Sequence, residues 1–554
     1  MKKILFLILA ATVTGSVLAQ TETKKDFNDT TVVTIKAYKP ILAESSKIPD
    51  TPEGDTSATE PPVMQYSIRS QKAETDFEAS AIKAVKIKDE QLTKLYRTYV
   101  KLGIGNYNIY NGELHVNALR SKTGALGLSL THLSGNPGLK DVQGAAYSKN
   151  AASVYGKYMF DNATFSGNFS YFRDAVRYYG LSTADTITDS PLLKQRFDEF
   201  AFGLKYESRY LNRDHIDYSA AVNYSTLSDR FDVTENDFIL SGFAGKDLES
   251  FYLKTALKFD YYKKGDANYE LLTQNSNLSR HIIDIMPTLS FNKEKVKLIL
   301  GVDFAMEKTL ESNVHLFPKI DFTLPVAENI LYLFANVDGS VKKNSFSNVV
   351  DENPFASSAI VLKNTINKLV LRAGINGNFS SRVSFLAAVK YSTVDDLLLY
   401  YNDTLYTNKF DAAYSDGKIL NLHAELGYHV AEKFETSIYV DQYSYSLALS
   451  QKPWHYPNTE VTLKMKYNLR DKLIASFSLY GRGKYDVRIA EPGNAYSETS
   501  VKGFIDASLG LTYRYSKILS VFFNANNLGF SRYYYWNNYP SERFNVLGGI
   551  SYSF

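Results

Sequence analysis

The side chains of this sequence that are best suited to metal binding or proton transfer are its eight histidines, at positions 115, 132, 215, 281, 315, 423, 429 and 455. None of them has the spacing of a metal pair on a helix, and there is no Cys to complete a closed zinc site. His423 and Glu425 share one face of an extended strand, with His429 nearby, and could form a ligand or acid–base pair. Polar residues on the wet face of a sheet give the same pattern. We therefore predict no catalytic, cofactor-binding or metal-binding residue.

The elements that position these side chains are predicted to be strands, because polar and apolar residues alternate over most of the chain from about residue 95. The pattern is clear in segments 110–118, 163–171, 420–430 and 459–467. More than a dozen such stretches have the length of about 9–11 residues that crosses a bilayer when tilted. Alternation predicts an antiparallel transmembrane β-barrel, since each strand then faces lipid on one side and a wet lumen on the other.

Composition favours the same class. The chain has 42 Tyr and 33 Phe but only 2 Trp, and its mean hydropathy is −0.25. The 62 basic residues nearly balance the 59 acidic ones, which argues against a nucleic-acid partner. The absence of Cys excludes disulfides. Charges of both signs on the polar faces indicate a wet interior without strong ion selectivity.

The lengths of the connections supply an independent test of the barrel. Tight turns, for example at 161–162, 431–433 and 468–472, alternate with long polar connections, for example at 342–365 and 526–541. Short turns on one side and long loops on the other are typical of outer-membrane barrels, in which the short turns face the periplasm. A consistent alternation requires about 22 strands, an even number that leaves the N- and C-termini periplasmic. It also requires a hairpin at 238–261.

The first 94 residues differ from the rest. Lys2 and Lys3 precede an apolar stretch and a small-residue site, which predicts a signal peptide over residues 1–19 with cleavage between Ala19 and Gln20. Residues 20–94 are rich in Pro, Ser, Thr and Glu at first and weakly helical later. We predict an irregular tail that lies in the periplasm or threads the lumen, followed by the barrel at 95–554.

The end of the chain carries an alternating apolar strand that stops on an aromatic residue. Ile550, Tyr552 and Phe554 share its apolar face and resemble the signal through which the barrel-assembly machinery recognises its substrates. The machinery and outer-membrane lipid are thus the first expected partners.

The closing segment from Asn526-Asn527-Leu528 through Tyr533-Tyr534-Tyr535-Trp536 to the last residue resembles the C-terminal end of TonB-dependent receptors. That resemblance implies a 22-stranded barrel that imports nutrients with energy from the inner membrane. The stretch Thr30-Thr31-Val32-Val33-Thr34 resembles the box that pairs with the energy transducer, although any extended linker could look the same. Residues 20–94 are too few for the globular plug of that family, which puts active import in doubt.

An aromatic segment offers an external binding loop for a solute or protein partner, through Tyr533, Tyr534, Tyr535, Trp536 and Tyr539. Trp454-His455-Tyr456 has the same character. Aromatic belts at the membrane interface are the alternative explanation. We predict a transport or receptor barrel in the cell outer membrane; the alternatives are a non-transporting scaffold barrel in a larger complex and a membrane-embedded hydrolase.

Overall fold

The computed structural model describes residues 95–554 apart from residues 120, 140, 141, 143, 182–192, 211–213, 267–278, 294–295, 310, 329, 404–406, 449–450 and 492–494. The predicted signal peptide, the tail and the Thr30–Thr34 box lie outside the described residues. Among the described residues, no helix is both long enough and apolar enough to span a membrane.

Strands dominate the described chain, with one short helix. In chain order the elements are β1 Thr98–Gly105, β2 Ile109–Asn117, β3 Gly124–Gly135, β4 Tyr147–Met159, β5 Ala163–Arg177, β6 Lys194–Ser208, β7 Ile216–Asp229, β8 Val233–Asp247, β9 Tyr252–Asp266, β10 Ser279–Lys293, β11 Val296–Lys308, β12 Ser312–Ala327, β13 Leu331–Lys342, α1 Phe346–Glu352, β14 Thr365–Ser380, β15 Val383–Asn402, β16 Phe410–Val430, β17 Phe434–Leu447, β18 Thr459–Leu469, β19 Leu473–Arg482, β20 Tyr485–Glu491, β21 Ala495–Val501, β22 Phe504–Arg514, β23 Leu519–Asn526, β24 Tyr534–Trp536, β25 Tyr539–Pro540 and β26 Asn545–Ser553.

Twenty-two of these strands form one closed antiparallel barrel, in which each strand pairs with its neighbours and β26 pairs with β1. The predicted fold class and strand number are confirmed. The predicted hairpin at 238–261 is formed by β8 and β9. The four remaining strands make two small hairpins, β20 with β21 and β24 with β25, within long loops.

The wall of the barrel follows the alternation of the sequence. On β1, Leu102 and Ile104 point outward and are 57% and 63% exposed, whereas Lys101 points inward and pairs with Glu113 of β2 at 2.8 Å. Apolar side chains stay exposed over the whole outer surface, as at Ile505. An outer face of this kind suits lipid, since lipid tails and apolar side chains are equally apolar.

The two edges of the barrel differ in their connections. Turns such as 431–433 and 470–472 are tight. Arg470 and Asp471 both have positive φ, 52° and 55°, as the two central residues of a type I′ turn require, and the Lys472 N–H donates to the Leu469 carbonyl at 3.0 Å. The opposite edge carries the long loops, including 343–364, 483–503 and 527–544. Residues 95 and 554 both lie on the short-turn edge.

Candidate functional site

The mouth of the barrel at the long-loop edge is crossed by the connection between β13 and β14, residues 343–364, which we call the cap segment. It contacts the wall on several sides of the ring. Tyr178 at the end of β5 donates to the carbonyl of Ala356 at 3.1 Å, and Lys264 of β9 donates to that of Ser358 at 2.8 Å. Across the mouth, Tyr414 of β16 donates to another cap carbonyl at 3.0 Å. The segment therefore bridges opposite parts of the wall.

Helix α1 lies near the start of the cap segment. Ser345 caps its N-terminus by accepting from the backbone N–H of Asn348 at 3.2 Å. Glu235 of β8 accepts from the backbone N–H groups of Phe346 and Ser347 at 2.6 and 3.0 Å. A carboxylate at this end also complements the helix dipole. The helix is thus oriented by an acidic side chain of the wall.

A buried apolar cluster, which we call the mouth cluster, packs around α1. Its members come from five strands of the wall, from the cap segment and from the loop 527–544. They are Phe197, Leu227, Val233, Phe346, Val349, Val350, Ala356, Ile360, Leu362, Leu398, Tyr400, Phe410, Trp536 and Tyr539. These side chains are buried from water where the cap segment, the wall and the loop pack together at the mouth.

The aromatic loop that the sequence singled out contributes to this closure. Trp536 and Tyr539 are 6% and 3% exposed and pack on the ring of Phe410 at 5.4 and 6.0 Å. Tyr533 stacks on the wall at 4.0 Å from the ring of Phe504, and Tyr485 donates to the carbonyl of Tyr534 at 3.0 Å.

The remaining member, Tyr535, is 40% exposed, and Arg482 lies 4.2 Å from its ring centre. External binding by the five residues remains a prediction. The buried rings of Trp536 and Tyr539 would reach a ligand only if the mouth cluster opened.

His455 lies at the edge of the mouth cluster, in the loop 448–458. Its Nδ1 hydrogen-bonds to the carbonyl of Tyr400 at 3.0 Å, and the carbonyl of His455 accepts from Arg482 at 2.6 Å. Its Nε2 is buried and has no hydrogen-bond partner among the described residues. Burial lowers the pKa of His455 to about 3, and the Arg482 guanidinium contributes in the same direction. The imidazole is therefore neutral at ordinary pH.

Polar contacts fix the cap segment to the wall beneath it. Lys343 donates to Asp237 and Asp260 at 2.5 and 2.9 Å, and Asp260 is fully buried. Ser358 donates to Asp229, which also accepts from Gln195 at 2.9 Å. These contacts compensate the charges that the closure removes from water.

The lumen below the cap holds His423 and Glu425, which the sequence pattern places on one face of a strand. His423 lies between two carboxylates: its Nε2 is 2.7 Å from Glu425, and its Nδ1 bonds to Asp441 on the neighbouring strand. Asn421 donates to Asp441 as well. His429 stands farther along β16, opposite Glu435. No group of three His, Asp or Glu side chains within the described ranges could hold a metal ion.

Three cavities line the same lumen. One of about 200 Å³ lies beneath the cap, between Lys342, Lys390 and Tyr456. Two larger ones, of about 450 and 380 Å³, lie toward the short-turn edge. The described wall thus leaves free volume in the lumen beneath the cap segment and toward the short-turn edge.

The molecule is defined by this architecture as a closed 22-stranded antiparallel barrel with its long loops at one edge. No protein-family model matches the sequence, and a comparison with curated proteins finds no match. Among solved structures, the FrpB iron transporter from Neisseria meningitidis (F5-1 variant) has a TM-score of 0.64 and 12% identity, over 84% of this chain and 83% of that chain.

The siderophore receptor PirA from Acinetobacter baumannii has a TM-score of 0.64 and 12% identity, over 84% and 81% of the two chains. The pyoverdine outer membrane receptor FpvA from Pseudomonas aeruginosa PAO1 has 0.61 and 12%, over 84% and 79%. At identities this low, the structural similarity establishes the fold alone. The resemblance to TonB-dependent receptors is confirmed at that level.

The cap segment is the element of the mouth that sequence reasoning missed, because 342–365 was interpreted as a long polar connection. A signal was present: Ser345 can cap a helix, and Phe346, Val349 and Val350 have the three- and four-residue spacing of one helical face.

Proposed function

We propose that the chain is an outer-membrane barrel of transport or receptor type, which admits a solute from outside when the cap segment moves. The observation that carries the proposal is the pair of cavities, about 450 and 380 Å³, which polar residues line in the lumen below the mouth cluster. A scaffold barrel requires neither cavity. Support also comes from the fold, which this chain shares with proteins described as an iron transporter and as siderophore receptors.

Conductance in planar lipid bilayers tests this function. Val349 is 2% exposed within the mouth cluster, whereas Val361 in the same cap segment is 49% exposed. A buried carboxylate should open the mouth, because an unpaired charge in an apolar cluster costs several kcal/mol, on the order of the cluster's own stability. We expect steady current from Val349→Asp and none from the wild type or from Val361→Asp.

Silence of a correctly folded Val349→Asp variant would instead favour the scaffold barrel. A parallel deletion of residues 20–94 distinguishes closure by the cap segment from closure by the N-terminal tail. Current that appears only after this deletion would identify the N-terminal tail, and not the cap segment, as the closure.

Cellular location follows from the same proposal. We infer export through the signal peptide, cleavage between Ala19 and Gln20, and assembly into the outer membrane with both termini in the periplasm. The apolar face of β26 supports this, since Ile550, Tyr552 and Phe554 are 50%, 41% and 58% exposed toward the outside of the barrel. Replacing Phe554 with Asp should reduce the amount of assembled barrel in outer-membrane fractions.

Energy coupling through residues 30–34 is a separate proposal. It predicts that deleting these five residues abolishes accumulation of the solute in cells and leaves its binding to the purified protein unchanged. Equal accumulation with and without them would rule out this box as the coupling element.

We infer that His423 has no hydrolytic role. Both of its ring nitrogens are engaged by carboxylates, Glu425 at 2.7 Å and Asp441, so neither is available to activate a nucleophile. Hydrolysis of phospholipid or peptide by the purified barrel, lost in His423→Gln, would overturn this inference.

A further inference from the structure

A cavity of about 450 Å³ in the lumen is lined mostly by polar residues of β17, β18, β19, β22 and β23. Its volume falls within the range of about 300–1,000 Å³ that is usual for ligand pockets. One row of inward side chains crosses it in register. Ser437 lies opposite Lys464, Lys464 opposite Ser478, and Ser478 opposite Ser508.

A second row runs beside the first, one step closer to the short-turn edge. It places Lys466 opposite Ser476, Ser476 opposite Gly510, and Gly510 opposite Asn524. A Cβ at Gly510 would lie 2.5 Å from the Ser476 hydroxyl and 3.1 Å from the Asn524 amide oxygen. The absence of a side chain at Gly510 therefore leaves room for the Ser476 hydroxyl and the Asn524 amide to approach this position from both sides.

The two lysines of this cavity differ from the lysines of the opposite wall. Lys258 and Lys319 each lie within 4 Å of an aspartate. Lys464 and Lys466 are exposed to the lumen, and no carboxylate of the described residues lies within ion-pair distance of either. The one acid that lines the cavity, Glu435, faces Lys466 in the register without forming an ion pair. The cavity thus has two available ammonium groups and an excess of positive charge.

Ammonium groups, hydroxyls and amide N–H groups in one concave surface are the donors that an oxyanion requires. We propose that this cavity binds the oxyanion group of a solute, a phosphate ester or a carboxylate, as the solute passes along the lumen. The ammonium groups supply charge, and Ser476, Ser478 and Asn524 supply directed hydrogen bonds. The inference rests on the proposed function, since only a transport or receptor barrel admits a solute to this wall.

Calorimetric titration of the full-length protein in detergent tests the site, with glucose 6-phosphate, glucuronate and neutral glucose as probes. Each titration is run on the wild type and on Val349→Asp, so that access through the mouth does not limit binding. We expect saturable binding of glucose 6-phosphate or glucuronate and none of glucose. Lys464→Gln/Lys466→Gln should weaken binding at least tenfold, and the double Arg variant should retain it.

Lys319→Gln serves as the matched control, because Lys319 faces the same lumen but is already paired; its affinity should equal that of the wild type. Equal binding by the double Gln variant, or no saturable binding of either anion, would overturn the proposal. Conductance keeps the two proposals apart. If Val349→Asp conducts but binds no anion, this site is refuted and the transport function stands. If Val349→Asp binds an anion but does not conduct, the site stands and the transport function is refuted.

Discussion

The mouth of the barrel and the lower lumen place lysines in opposite situations. At the mouth, Lys343 is 12% exposed and donates to Asp237 and Asp260 beneath an apolar cluster. In the lower lumen, Lys464 and Lys466 stand exposed among hydroxyl and amide groups. The comparison teaches that lumen charge has two uses. Paired and buried charge holds a closure in place, whereas unpaired and hydrated charge remains available to a ligand.

The largest effect is expected from the centre of the mouth cluster. Phe410 is fully buried and its ring lies 5.1 Å from His455 and 5.4 Å from Trp536. Phe410→Ala should destabilise the closed cap by about 3–5 kcal/mol, because the cavity left behind adds to the lost burial. Hydrogen exchange across residues 343–364 measures this opening. Unchanged protection would show that the cap does not depend on the cluster.

A matched pair of lysines gives the next effect and tests the comparison directly. Lys343→Met removes the partner of two carboxylates and should destabilise the cap by about 3 kcal/mol, since a buried charge is left uncompensated. Lys466→Met removes a hydrated cation and should change stability by no more than about 0.5 kcal/mol. Hydrogen exchange of the cap segment reads out both variants, and equal effects would remove the distinction between the two regions.

The pH dependence of the cap should be smaller and gradual. Burial lowers the pKa of His455 to about 3, whereas an exposed imidazole titrates near 6.5. Below pH 6.5 the open form binds more protons than the closed form, so the closed cap loses stability as pH falls from about 6.5 toward 3. The slope is on the order of 1.4 kcal/mol per pH unit.

Proteolysis of the cap segment at pH 7 and pH 5 checks this dependence. The wild type should be cleaved faster at pH 5, and His455→Gln, which does not titrate, should show a flatter profile. The same pH profile in both proteins would exclude His455 as the titrating group.

The smallest change in the stability of the closed cap is expected from a substitution at the exposed edge of the mouth. Tyr535→Ala removes a ring that is 40% exposed and lies 4.2 Å from Arg482. A cation–π contact at such a site contributes about 0.5–1 kcal/mol, so the cap should stay closed. A silent bilayer with Tyr535→Ala, beside a conducting Val349→Asp, would sharpen the boundary between the surface and the core of the closure.

The barrel could be predicted from sequence because each strand carries its own signal. The two-residue period of 420–430 assigns Leu422 outward and His423 inward without knowledge of any neighbour. Short turns such as 431–433 indicate where one strand ends and the next begins. Local pattern therefore suffices for strand number and strand faces.

The cap and the His423 group could not be predicted in the same way, since both depend on distant partners. Glu235 is 111 residues from Phe346, and Asp441 is 18 residues from His423 on another strand. Which residues meet across strands depends on register, which a single strand pattern does not fix. Trp536 shows the consequence: its type predicts a contact surface, but only the fold decides that the contact is internal.

The seam between β1 and β26 determines when the barrel can close during assembly. Asn106 and Val546, which are 440 residues apart, share a hydrogen bond of 2.8 Å across this seam, and Thr98 and Phe554 exchange two backbone bonds of 2.8 and 2.9 Å. At Gly549 a Cβ would lie only 2.0 Å from the backbone oxygen of Leu102, so the strands approach too closely there for any residue other than glycine. A barrel in which this pairing has not yet formed therefore has two unpaired edge strands. The final pairing joins strands separated by nearly the whole described sequence.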